Sequence, residues 1–81
     1  MMASKEILAD WIIDALRGLG GSAPLIDVCR WIWTVHENDL KMSADLFYTW
    51  QYDVRWAATN LRGAGRLKAA GKSPRGVWEL A

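Results

Sequence analysis

Apolar positions recur at helical spacing in three stretches of this chain. In the first, Leu8, Trp11, Ile12, Ala15 and Leu19 fall on one face at roughly 100° per residue, flanked by Ile7 and Leu16. That pattern predicts a helix from about Lys5 to Leu19 with this face in the core. Ser4 suits its N-cap, and Glu6 places a carboxylate in the first turn, where the helix dipole favours it. Gly20 and Gly21 end it by allowing positive φ. Ile13 points away from the core face, so it is either a stray exposed residue or part of a contact with another chain.

The second stretch begins at Pro24, a residue suited to a first helical turn, and runs to about Val35. Leu25, Val28, Cys29 and Ile32 share its inner face, while Trp31 falls well off it, with Trp33 and Ile26 at the margins. Exposed tryptophans are common anchors at interfaces, which makes Ile13, Trp31 and Trp33 the candidates for a protein contact or a homodimer. The following run, "HENDLKMSAD", is polar and broken and reads as a loop, with room for one helical turn at Asp39 to Met42.

The third helix is expected from about Tyr48 to Ala64, with Trp50, Val54, Ala57, Ala58 and Leu61 on its apolar face. Gly63 and Gly65 stop it. Two short runs follow, Arg66 to Ala69 and Val77 to Leu80, joined by the turn-rich "AGKSPRG". Alternation puts Leu67 with Ala69, and Trp78 with Leu80, toward the core. Ser22 and Ala23 are positioned to add a short edge strand. Three helices closed by a hairpin form the order of a winged helix, mainly α with a small β component, occupying residues 1 to 81 as a single domain.

Charge changes the picture once it is divided along the chain. Residues 1 to 49 hold four basic and seven acidic side chains, a net −3, whereas residues 50 to 76 hold six basic side chains and one acidic, a net +5. On the third helix Gln51, Arg55, Thr59, Arg62 and Arg66 make a stripe beside the apolar face, free of carboxylates. Such a row suits the major groove, where Arg donates to guanine and Gln pairs with adenine, with Tyr52 alongside. Arg66, Lys68, Lys72, Ser73 and Arg75 are placed to hold the phosphate backbone. Double-stranded DNA is therefore the expected partner. A solubilising turn explains Lys72, Ser73 and Arg75 equally well. Trp56 falls nearly opposite Val54, so it is covered by the wing or an extended loop, stacks on a sugar or base, or meets a second protomer; cover by the chain's own hairpin is the default, since base stacking is rarer in duplex readers.

Other chemistry finds little support. With one histidine, His36, and one cysteine, Cys29, neither a zinc set nor a nucleophile with its base can be assembled. Cys29 is read as a small buried apolar residue, and the group His36, Glu37 and Asp39 as a solvated connection. No internal disulfide can form, no signal peptide is evident near Met1, and no apolar run approaches the roughly 18 residues of a membrane span. The expectation is a cytoplasmic protein without cofactor, metal or small-molecule substrate, and not an enzyme.

The run "VRWAATNLRGAGRLKAAGKSPRGVWEL" resembles the amino-terminal winged-helix domain of Mrr-type restriction proteins. The matching positions are Val54, Arg55, Trp56, Ala57, Leu61, Ala64, Gly65, Gly76, Val77 and Trp78. The resemblance implies a domain that binds DNA, with cleavage residing in a separate carboxy-terminal nuclease domain. Nothing corresponding to that nuclease is expected within Met1 to Ala81. The leading run "HENDLKMSADLFYTWQYD" departs from the family, so the bases or modifications read do not carry over. Transcription regulation, or recognition within a larger system, is the role these features suggest. The rival is a protein-association module built on the tryptophans.

Overall fold

The computed structural model describes residues 5–81. Helix α1 spans Ile7–Gly18, strand β1 Ser22–Pro24, helix α2 Leu25–Lys41, helix α3 Leu46–Gly63 and strand β2 Val77–Glu79. This is a mainly helical α+β chain with a small antiparallel sheet, in a winged-helix-like layout. The cap proposed at Ser4 lies outside the described residues.

Helix α1 buries Leu8, Trp11, Ile12, Ala15 and Leu16 as its periodicity predicts. It ends where Gly20 and Gly21 take φ of 93° and 101°, and the Gly21 amide returns to the Leu16 carbonyl at 2.7 Å. Ile13 is not exposed. It is 4 % accessible, because the segment around Gly65, Arg66 and Leu80 lies against that side of α1. A pattern computed on one helix cannot see a second layer arriving on its other flank.

Helix α2 is longer than its periodicity suggested. The run from His36 onward is helical to Lys41, passing through a kink at His36 with φ −117° and ψ 18°. Leu40 explains the continuation: it is fully buried, two turns and a residue beyond Ile32, so the helix regains the core after the kink. Lys41 and Glu37 pair across one turn at 2.6 Å. The hydroxyl of Ser43 then donates to the Asp39 carbonyl and closes the helix end. Ala44 turns the chain into α3 with a φ of 52°.

The wing differs in its pairing. Strand β2 pairs with β1, not mainly with the segment after α3, in the register Ser22 to Glu79, Ala23 to Trp78 and Pro24 to Val77. The segment from Arg66 contributes a single bridge, Leu67 to Leu80, beside a hydrogen bond that the Lys68 amide donates to the Glu79 carbonyl at 2.9 Å. Ala69 is exposed, not core, and Ala70–Lys72 form a short 3₁₀ turn. Leu67 and Trp78 do enter the core, whereas Leu80 is half-buried. A strand with Gly-Lys-Ser-Pro just beyond it has too few residues to sustain a ladder, and the apolar side chains alone decide where it docks.

Candidate nucleic-acid interface

Helix α3 is fixed on its inner side by Trp50, Val54, Ala57, Ala58 and Leu61, all buried. Asp53 is also buried, at 7 % exposure, accepting a 2.7 Å bond from the Thr49 hydroxyl with Lys5 3.9 Å away. The one carboxylate of the helix thus turns away from the basic stripe. Gln51, Tyr52, Arg55 and Thr59 are exposed, and the Thr59 hydroxyl donates to the Arg55 carbonyl at 3.2 Å.

The wing loop is brought to the same place. The Leu25 amide donates to the Gly76 carbonyl at 3.0 Å, and Gly76 adopts a φ of 78°, a turn that a side chain would strain. This anchors Arg75 beside the start of α2. Gln51, Arg55 and Arg75 then line one open cleft of about 440 Å³, with Ile26 and Cys29 on its wall. Burial pushes the Cys29 thiol above its ordinary pKa, and the nearby Arg55 guanidinium only partly opposes this. Burial thus favours the neutral thiol, which stands half-buried in the cleft wall.

The remaining basic residues separate. Arg62 turns inward: it is half-buried, its guanidinium lies 6.0 Å over the Trp78 ring, and its Nε is buried with no hydrogen-bond partner. Arg66 stands beside Arg17 and Ile13, away from the cleft that holds Arg75. Lys68 is paired with Glu79 at 3.2 Å. The Glu79 carboxyl is held below its ordinary pKa by that lysine first and by the Ser73 hydroxyl second, and the Ser73 Oγ is itself buried. Lys72 is exposed on the 3₁₀ turn. Among the described residues, Arg55, Arg62, Arg66, Lys72 and Arg75 form no ion pair, whereas Lys5, Arg30 and Lys41 all do.

The tryptophan patch expected to meet another protein is taken up inside the fold. The Trp31 indole packs so closely on Gly18 that a methyl there would sit 2.9 Å from its Nε1, and Trp33 stacks on Trp50 with centroids 6.2 Å apart. With Ile13 buried, none of the three is offered freely. Trp56, by contrast, is 56 % exposed. The segment after α3 bonds back to the Leu61 carbonyl and to Glu79 of β2, and the hairpin does not cover Trp56. Tyr48 and Tyr52 accompany it on the outer side at 83 % and 61 % exposure. The wheel position of Trp56 was the signal for this; the error lay in sending the wing to cover it.

His36 does not belong to a solvated loop. Its ring lies flat on Trp11, 3.8 Å between centroids and 5° between planes, with Nδ1 3.9 Å from Asp39. Burial lowers its pKa, opposed by Asp39 and Asp14. Among the described residues no three His, Cys, Asp or Glu side chains gather as a metal ion requires, and no helix is long and apolar enough to cross a membrane. No family model, no curated protein and no solved structure matches this chain.

Proposed function

We propose that this chain is a non-catalytic DNA-binding protein, with α3 entering the major groove of double-stranded DNA and the wing lying on the phosphate backbone. The observation that carries this is the cleft where Gln51 and Arg55 of α3 meet Arg75 of the wing with no carboxylate on its walls. Gln51 and Arg55 offer base-edge donors and acceptors, and Arg75 supplies a backbone contact next to them. Lys72 extends the same basic loop. The resemblance of residues 54–80 to Mrr-type amino-terminal domains supports the same reading, as a transcription regulator or the recognition module of a larger system. Dimerisation through Ile13, Trp31 and Trp33 draws no support from their packing.

Phosphate contacts release counter-ions, so affinity for a duplex should fall by about 0.9 log unit per neutralised phosphate for each decade of salt. A duplex titration at several salt concentrations tests this. A flat response would remove the proposal.

A further inference from the structure

Three exposed aromatic residues stand on the outer side of α3, and duplex recognition alone gives them no task. Tyr48, Tyr52 and Trp56 follow one another at i, i+4 and i+8, so successive side chains are separated along the axis by roughly 6 Å. That is close to the ~6.8 Å of two stacked layers, the spacing at which one base fits between two rings. Among the described residues no ring contact joins the three to one another; Tyr48 meets only Phe47, edge to face. The gap is real space: a notch of about 130 Å³ opens between Tyr52 and Trp56, with Arg55 and Thr59 on its walls.

The walls of this notch suit a nucleobase better than an apolar side chain. The Thr59 hydroxyl spends its proton on the Arg55 carbonyl, so it turns lone pairs outward as an acceptor, while the Arg55 guanidinium donates. Donor and acceptor thus flank a slot bounded by two rings, which is what the edge and the faces of a base require. Arg55 also lines the cleft shared with Gln51 and Arg75, so the slot and the proposed duplex site meet at one residue.

We infer that the slot between Tyr52 and Trp56 takes an unpaired base, so that the preferred nucleic acid is a duplex continued by a single strand. This rests on the duplex reading above for the position of the double-stranded part. The base comes from an extended or melted strand leaving the duplex beside Arg55, because a base still in its pair presents no face to the rings.

The experiment compares three probes of one sequence: a blunt duplex, the duplex with a short thymidine tail, and the duplex with an abasic tail of equal length. The two tails carry the same phosphates and differ only in bases. Stacking of one base on the rings should make the thymidine tail bind about tenfold tighter than the abasic one. In Trp56→Ala that ratio should fall toward one, in Trp56→Phe it should largely persist, and in Arg55→Ala both tails should weaken, the thymidine tail more than the abasic one because it also loses the donor to its base edge. Equal binding of the two tails overturns the inference while salt-dependent binding of the blunt duplex leaves the duplex reading standing. Tail binding without any blunt-duplex binding does the reverse. A dimer that Trp56→Ala dissociates, with equal tails, assigns the row to self-association and overturns the inference.

Discussion

Between His36 and Lys41, helix α2 carries an imidazole, two carboxylates and an ammonium, and each has been given a place within the chain. His36 lies on Trp11 and beside Asp39, and Glu37 holds Lys41. Between Tyr48 and Thr59, helix α3 carries two tyrosines, a tryptophan and an arginine on its outer side; among the described residues no ion pair meets them, and the edge contact of Tyr48 with Phe47 is the one ring contact they make. Both stretches are rich in polar and aromatic residues. The difference teaches that residue type alone does not single out a candidate surface; what sets the second stretch apart is side chains left without a partner inside the fold. A charge settled internally supports its own helix, and one left unsettled creates a field that something outside must answer.

The largest effect is expected on the settled side. Trp11→Ala removes both a buried indole and the platform of His36, and should cost ~3–5 kcal/mol. For a chain of this size that is a large share of the total stability. Denaturant unfolding followed by circular dichroism measures it, and a loss below about 1 kcal/mol would show the stack to be incidental. On the unsettled side the same measurement should barely move: Arg55→Ala with Arg75→Ala is expected to change stability by no more than ~0.5 kcal/mol each. Duplex affinity should drop instead, with the salt slope shallower by about 1.8 if each guanidinium neutralises one phosphate.

Most of the inner architecture could be read from the chain because it depends on periodicity. The core face of α3, most of that of α1, the glycines after Leu19 and the roles of Leu67 and Trp78 follow from spacing; Leu19, expected on the α1 core face, is instead 38 % exposed as the helix's C-cap. The continuation of α2 past His36 was hidden by its polar surface. Leu40 alone of the apolar residues in that run reaches the core, while Met42 and Ala44 stay exposed, and one buried position does not stand out as a pattern. The site was legible only in part, for a related reason. Sequence position gathers Arg55, Arg62, Arg66 and Arg75 into one charged segment, but it cannot tell that Arg62 is drawn over Trp78 or that Arg66 stands beside Arg17. Side-chain partners from distant segments decide which charges remain free.

A smaller effect separates the two regions by pH. The folded state lowers the His36 pKa from its ordinary 6.5 mainly through burial. The folded imidazole therefore binds its proton more weakly than the unfolded one, and acid favours the unfolded chain. His36 should withdraw stability as pH falls from about 6.5 toward its lowered folded value, and should contribute no pH dependence above that window. His36→Phe keeps a ring against Trp11 and removes the titration. Its stability profile should be flatter than that of the parent through this range, as unfolding midpoints at a series of pH values would show. Equal slopes would mean that the imidazole has exchanged its proton with no change in its surroundings.

The smallest effect concerns Lys68, which lies in the basic segment yet behaves like the settled charges of α2. Its ammonium is 3.2 Å from the Glu79 carboxylate, and both groups reach solvent, so water screens the pair and its contribution to stability is small. Lys68→Met should therefore lower stability only slightly. It should also leave the salt slope of duplex binding nearly unchanged, since an ammonium already answered by a carboxylate adds little net charge to meet a phosphate. Glu79→Gln separates the two explanations for a silent lysine. If pairing is what silences it, releasing Lys68 should tighten duplex binding and steepen the slope by up to about 0.9. If the lysine simply faces away from the bound strand, the slope will not move, and the contact surface ends at Arg75.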